Sequence, residues 1–292
     1  MGQSYIIQTE DGRELSITEA GRPNGVPVLV HHGTPGSRLL YAPWVKDARS
    51  RGIRLISYDR PGYGGSTPQP GRTVADAAAD VAAIASELGV SRLLVWGISG
   101  GGPHALACAA LLPDLVVAAA ALASVAPYPA EGLDWFAGMA EANVAEFRAA
   151  INARDALQSF VAEAAAGTVN AEPATLAQAW GSLLSPVDAA ILAGHLAAFL
   201  LGQFQEGLKP GIDGWVDDDV AFTTPWEFEG SEIRLPVLLM HGEHDRLVPF
   251  SHGRWLADRI PNVDARLSDD DGHLTLIGRI PAVHAWLLDR WH

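Results

Sequence analysis

Short apolar runs alternate with segments of helical spacing over the first 126 residues, and this alternation constrains the fold most strongly. The runs are rich in Val, Leu and Ile. Strands that are apolar along most of their length are typical of a parallel sheet covered by helices on both faces. The sequence therefore predicts a doubly wound α/β core with strands at Val26–His32, Ile53–Tyr58, Leu93–Trp96 and Val116–Ala123, preceded by a hairpin of Tyr5–Gln8 and Glu14–Glu19.

The alternation stops near Pro127 and resumes about 100 residues later. The intervening sequence is rich in alanine and helical in spacing, and it contains no short β-branched run. We therefore expect a core made of residues 1–126 and 231–292, interrupted by a helical cap inserted at residues 127–230. The helices predicted in the core are Thr73–Leu88, Gly102–Leu112, Gly253–Arg259 and Thr275–Leu288, and its last two strands are Leu235–His241 and Val263–Leu267.

Composition and charge indicate a soluble, cytoplasmic protein. The 292 residues include 48% hydrophobic side chains, yet no stretch is long and apolar enough to span a membrane. The N-terminus lacks the pattern of a secretory signal, and the single cysteine, Cys108, cannot form an internal disulfide. A net charge of −14 argues against nucleic acid or anionic lipid as a partner. The oligomeric state stays open.

The acidic residues are concentrated in the predicted insertion. Residues 127–230 contain fifteen acidic and three basic side chains, a balance of 3 − 15 = −12. A solvated helical surface explains such a balance without any role in function. The alternative is that the acids favour a neutral or cationic substrate.

The segment Gly97–Gly101 matches the pattern G-x-S-x-G between a predicted strand and a predicted helix. A sharp strand-to-helix turn exposes the serine hydroxyl, and glycines are needed where neighbouring chain segments approach closely. Ser99 is therefore the candidate nucleophile. The alternative is a serine in an ordinary glycine-rich turn.

A serine nucleophile needs a general base within hydrogen-bond reach and a carboxylate that orients this base. His273 follows the last predicted strand, and Asp245 follows the strand before it, so both should lie at the sheet edge that carries Ser99. Glu243 competes with Asp245 for the role of the acid. The run Asp269–Asp271 is better explained as a solvated acidic segment.

The oxyanion that forms when serine attacks a carbonyl needs backbone N–H donors. Gly100 directly follows Ser99 at a helix N-terminus, where the helix dipole also favours negative charge. A second donor should come from the loop His32–Gly36. Because Pro35 has no N–H group, the Thr34 amide is the best candidate in this loop.

Taken together, these motifs resemble those of α/β-hydrolase-fold serine hydrolases with a helical cap. The resemblance is carried by the loops His32–Gly36 and Asp59–Ser66, the Ser99 turn, the Asp245 loop and His273. It implies a catalytic triad of Ser99, Asp245 and His273, with Thr34 and Gly100 as oxyanion donors. It also implies a substrate pocket between core and cap, and no cofactor. No ligand spacing typical of a metal site is present.

The resemblance predicts hydrolysis of a small carboxylic ester or lactone through an acyl-enzyme, on a neutral or cationic substrate with an apolar acyl part. Three alternatives stay open. The His32–Gly36 loop is similar to that of proline iminopeptidases, whose cap carboxylates hold a free amine, although those enzymes usually carry Gly-Gly-Ser-Trp-Gly at the serine turn. The same residues could also cleave a carbon–carbon bond, as a hydrolase or lyase. A ligand-binding receptor with a slow triad is the third alternative.

Overall fold

An eight-stranded, mostly parallel sheet forms the centre of the computed structural model, which describes residues 2–291. The strand order is β1-β2-β4-β3-β5-β6-β7-β8. Strand β2 runs antiparallel to β1 and β4, and the other neighbouring strands are parallel to each other. This sheet confirms the predicted α/β core. Its strands are β1 (Gln3–Gln8), β2 (Glu14–Gly21), β3 (Val26–His31), β4 (Ile53–Tyr58), β5 (Leu93–Ile98), β6 (Val116–Leu122), β7 (Val237–Gly242) and β8 (Val263–Ser268).

Helices cover both faces of the sheet, because the parallel strands are apolar on both sides. One buried cluster joins the sheet to α2, α3 and α10, and a second joins the opposite face to α1 and α11. The helices are α1 (Ala42–Arg51), α2 (Ala77–Glu87), α3 (Gly101–Leu111), α4 (Glu141–Asn152), α5 (Arg154–Val169), α6 (Leu176–Ala179), α7 (Pro186–Ile191), α8 (Gly194–Gly207), α9 (Asp213–Phe222), α10 (Phe250–Ala257) and α11 (Ile280–Leu288).

Four helical segments differ from the sequence-based expectation. Helix α10 covers Phe250–Ala257 rather than the expected Gly253–Arg259, because Pro249 directly precedes its first residue. Helix α1 was not predicted, because it buries only Trp44 and Ala48 and so lacks a clear apolar periodicity. Helix α2 begins at Ala77 rather than at Thr73, whose backbone N–H and hydroxyl donate to the Asp76 carboxylate in the preceding turn. The expected final helix is divided into a 3₁₀ turn at Thr275–Arg279 and α11, which has proline in its first turn.

The helices α4–α9 lie between β6 and β7 in the chain, and we refer to them as the inserted helices. Within residues 127–230 no strand is present, in agreement with the predicted helical character. Phe204 of α8 belongs to the same buried cluster as Trp44 of α1 and Trp96 of β5. The inserted helices are therefore packed directly onto the core. Across residues 2–291, no helix combines the length and the apolar character that a membrane crossing requires.

Candidate active site

Ser99 lies in the turn that joins β5 to α3, and its backbone is in the left-handed region with φ of 55°. Such a conformation is uncommon for a residue other than glycine and is concentrated at functional sites. The flanking glycines are required by close packing. A Cβ atom on Gly97 would lie 2.0 Å from the Gly101 carbonyl oxygen, and one on Gly101 would lie 2.2 Å from that of His31. The chain can therefore make this turn only with glycine at both positions.

The expected base and acid are hydrogen bonded to each other. His273 follows β8, Asp245 follows β7, and the distance between His273 Nδ1 and Asp245 Oδ2 is 2.7 Å. The other carboxylate oxygen of Asp245 accepts the backbone N–H groups of Leu247 at 2.9 Å and Val248 at 2.8 Å, so the carboxylate cannot turn freely. The competing acid Glu243 is exposed.

Electrostatics at this pair favour a charged imidazolium beside a charged carboxylate. Burial alone would raise the pKa of Asp245, but His273 and His241 beside it hold this pKa well below its usual range. Burial alone would lower the pKa of His273, yet Asp245 and Asp188 bring it above its ordinary value of 6.5. The site therefore stabilises a proton on His273.

The loop after β3 crosses the serine turn and brings Thr34 beside Gly100. A Cβ atom on Gly100 would lie only 2.2 Å from Thr34 Oγ1, and one on Gly33 would lie 3.5 Å from Ser99 Cβ. Within residues 2–291, the backbone N–H groups of Thr34 and Gly100 donate to no backbone acceptor outside regular elements. Two amides thus lie beside Ser99 with the capacity to donate to a ligand.

Ser99 contributes to the walls of two cavities. The first has a volume of about 100 Å³ and is mainly apolar; His273, Trp44 and Phe199 contribute to its walls. The second has a volume of about 340 Å³ and extends among the inserted helices, with Phe160 and Trp215 in its wall. Thr34, Pro35, Trp180, Phe204 and Leu247 line both cavities, so the two spaces meet at the serine.

The interpretation of the inserted acids as a solvated surface is correct for nine of the fifteen and wrong for four. Asp188, Asp217, Asp218 and Asp219 are buried, with at most 1% of their surface exposed. Two more, Glu146 and Glu206, are partly buried. The nine exposed residues are Glu131, Asp134, Glu141, Asp155, Glu163, Glu172, Asp213, Glu227 and Glu229.

Asp218 of α9 connects the inserted helices to the Thr34 loop. Its carboxylate accepts the Thr34 hydroxyl at 2.6 Å, the Tyr63 hydroxyl at 2.9 Å, and guanidinium N–H groups of Arg60 at 2.5 Å and Arg72 at 2.7 Å. Although burial opposes it, the two arginines hold the pKa of Asp218 well below its usual range. Arg60 also donates to the carbonyl groups of the Thr34 loop. No local sequence motif reveals this cluster, because its members are as much as 184 residues apart.

Glu146 and Asp219 place two carboxyl groups in the wall of the larger cavity. The two groups interact with each other, and the Trp215 indole N–H donates to Glu146 at 2.6 Å. Burial raises the pKa of both carboxyls, and repulsion from Glu146 raises that of Asp219 further. Each carboxyl of the pair therefore holds its proton to a higher pH than an isolated carboxyl group would.

A family model described as the alpha/beta hydrolase fold matches residues 26–279, which is most of the chain. The chain belongs to the α/β-hydrolase family. This α/β hydrolase is 29% identical over 251 residues to a non-heme chloroperoxidase of Streptomyces lividans, with 84% of this chain and 83% of the relative covered. It is 26% identical over 271 residues to a bifunctional esterase/perhydrolase of Acinetobacter calcoaceticus, with 88% of each covered.

A solved structure of a thermophilic esterase from Thermogutta terrifontis has the same fold as this α/β hydrolase. The TM-score is 0.69 at 22% sequence identity, and the alignment covers 99% of this chain and 100% of the esterase. The family match and the relatives support an enzyme of the hydrolase type.

Proposed function

We propose that this α/β hydrolase cleaves a small carboxylic ester or lactone through an acyl-enzyme. Ser99 Oγ attacks the carbonyl carbon while His273 accepts the hydroxyl proton, and the backbone amides of Thr34 and Gly100 bind the oxyanion. Collapse of the intermediate breaks the carbon–oxygen bond, and His273 returns the proton to the leaving alcohol. A water molecule, deprotonated by His273, then releases the acid and restores the serine.

The observation that carries this proposal is the 2.7 Å bond between His273 and Asp245, beside a cavity whose wall contains both His273 and Ser99. A carboxylate on Nδ1 leaves the opposite nitrogen, Nε2, available to take a proton. The mainly apolar cavity of about 100 Å³ supports an apolar acyl part of modest size. The relative described as a bifunctional esterase/perhydrolase supports an ester substrate.

The division of the chain is part of the proposal. We propose that residues 1–126 and 231–292 form the hydrolase core, and that residues 127–230 form a cap that closes the substrate cavity. Support comes from the larger cavity, whose wall combines Gly100 of the serine turn with Phe160 and Trp215 of the inserted helices. We further propose a cytoplasmic location for the enzyme.

Replacing Ser99 by alanine tests the chemistry. We expect Ser99→Ala to remove nearly all turnover of 4-nitrophenyl acetate and to abolish covalent labelling by a fluorophosphonate probe. The matched control is Ser159→Ala, at an exposed position on α5, which should keep both activities. Parental turnover by Ser99→Ala would disprove the serine mechanism. A wild-type protein that neither turns over esters nor reacts with the probe would support the receptor alternative instead.

A second candidate function is favoured by the Glu146–Asp219 pair. Two carboxyl groups in the wall of the larger cavity could bind a substrate ammonium, as in an aminopeptidase. Turnover of proline and alanine 4-nitroanilides should be compared with that of neutral esters, in the wild type and in Glu146→Gln. Selective loss of amine-substrate turnover in Glu146→Gln would favour the aminopeptidase. No turnover of any free-amine substrate would exclude it.

A further inference from the structure

Asp188 of the inserted helix α7 is fully buried against the loop that carries His273. Its Oδ2 accepts the His273 backbone N–H at 3.0 Å and the Ser185 hydroxyl at 2.7 Å. Its Oδ1 accepts the N–H groups of Leu274 at 2.7 Å and Thr275 at 3.2 Å. One carboxylate thus binds three consecutive backbone amides, beginning with that of the expected base.

These three amides need a partner from outside their own segment. They open the 3₁₀ turn Thr275–Arg279, and the first N–H groups of a helical segment have no acceptor within it. A nearby side chain usually caps such groups. Here the acceptor is 85 residues earlier in the chain than His273, on an inserted helix. The position of the base is therefore connected to the position of α7.

Steric fit adds a second and independent observation. A Cβ atom on Gly272 would lie 2.4 Å from Asp188 Oδ2 and 2.6 Å from Cγ. The φ of Gly272 is not positive, so glycine is needed at this position for space rather than for conformation. The backbone directly before His273 is thus packed against the carboxylate itself.

The charge of Asp188 also acts on the imidazole. Burial of His273 disfavours its charged form, while the carboxylates of Asp245 and Asp188 favour it. His241 Nε2 lies 3.4 Å from Asp245 Oδ2, the same oxygen that is bonded to His273, and the neighbouring Asp271 is paired with Arg279 at 3.0 Å. Asp188 therefore has both a geometric and an electrostatic effect on the base.

We propose that Asp188 is a positioning residue that holds the His273 loop in place. Proton transfer from Ser99 to His273 then depends on the position of α7 relative to this loop. This inference rests on the serine mechanism proposed above. It gives a role in the reaction to a residue that touches no reacting atom.

The test is Asp188→Asn in the full chain, with kcat and KM measured for 4-nitrophenyl acetate across pH. Asparagine keeps one acceptor oxygen but presents an NH₂ group to the remaining donors and removes the negative charge. We expect kcat to fall by about 10–100-fold with little change in KM, because a small misplacement of a catalytic group has effects of this size. We also expect the acid limb of kcat/KM to move to lower pH, because the imidazolium loses a stabilising charge.

The matched control is Asp217→Asn, which makes the same change at another buried aspartate of the inserted helices. Asp217 pairs with Arg154 of α5 at 2.6 Å, and within residues 2–291 its other carboxylate oxygen has no hydrogen-bond partner. We expect its acid limb to stay at the parental pH. Equal losses in the two variants, with both acid limbs unmoved, would overturn the inference and leave Asp188 a purely structural residue.

Two further measurements keep the inference testable. The first, Gly272→Ala, serves if Asp188→Asn does not fold, and the second, an NMR titration, serves if the serine mechanism fails. Gly272→Ala pushes a methyl group against Asp188 and should also lower kcat; parental kcat in this variant would contradict the inference. An NMR titration of the His273 imidazole in Ser99→Ala, with and without Asp188→Asn, needs no turnover. An unchanged imidazole pKa would overturn the electrostatic effect of Asp188. Ester turnover by Ser99→Ala would instead overturn the proposed function and the step of proton transfer from Ser99, and the titration would then test only the effect of Asp188 on the His273 imidazole.

Discussion

Replacing Asp218 by asparagine should destabilise the protein strongly, because it leaves two arginines without their charged partner. Asp218 is fully buried, and Arg60 and Arg72 expose only 1% and 2% of their side chains. Removing one member of a buried ion pair costs about 3–5 kcal/mol in the free energy of unfolding. At about 2–4 °C per kcal/mol for a chain of this size, we expect the Tm to fall by roughly 6–20 °C.

The pH dependence of this effect has a defined sign. The folded-state pKa of Asp218 lies well below its ordinary value of 3.8, so the carboxylate stabilises the folded state at pH values above about 4. This contribution is lost as the pH falls toward the folded-state pKa. The difference in unfolding free energy between the wild type and Asp218→Asn should therefore be large at pH 7 and become smaller below pH 4.

The assay is urea unfolding followed by tryptophan fluorescence, with Asp213→Asn as the control. Asp213 lies in the first turn of the same helix but is exposed, so its loss should change the unfolding free energy by no more than about 1 kcal/mol. An Asp218→Asn protein within 1 kcal/mol of the wild type at pH 7 would refute the reasoning.

Three further predictions concern the reaction. Asp245→Asn should lower kcat by about 10⁴-fold with the fold retained, because an amide cannot stabilise the imidazolium; circular dichroism and ester kinetics together check this, and a loss below tenfold would contradict it. Gly100→Ala should lower kcat by about 10²–10³-fold, since its methyl group would displace Thr34 and with it one of the proposed oxyanion donors; an unchanged kcat would place the oxyanion site elsewhere. Because the pKa of His273 is raised and its neutral imidazole is the proposed base, the acid limb of kcat/KM should lie above pH 6.5. A limb below pH 6 would argue against His273 as this base.

The sheet could be predicted from sequence because its central strands are continuous apolar runs, which few other elements produce. The turn at Ser99 was equally visible, since packing against neighbouring backbone permits only glycine at Gly97 and Gly101. Helix α1 could not be predicted, because most of its side chains are polar or half-exposed. The local hydrophobic pattern of the sequence therefore predicts those elements whose apolar residues are the buried ones.

The buried acids show where such prediction ends. Asp213 and Asp218 belong to the same helix α9, yet the first is exposed and the second is fully buried. Their difference depends on Arg60 and Arg72, which are 158 and 146 residues away from Asp218. The buried carboxylate of Asp188 likewise depends on hydrogen bonds from a loop 85 residues away. No local pattern in the sequence encodes these long-range partners.

The most direct test of the serine mechanism is to isolate the covalent intermediate. Wild-type enzyme is mixed with 4-nitrophenyl acetate, quenched in acid during turnover, digested and analysed by mass spectrometry. The mechanism predicts a peptide that carries one additional acetyl group on Ser99, and its absence when the enzyme is quenched after the substrate is exhausted. Rapid turnover with Ser99 unmodified, or with the acetyl group on another side chain, would contradict it.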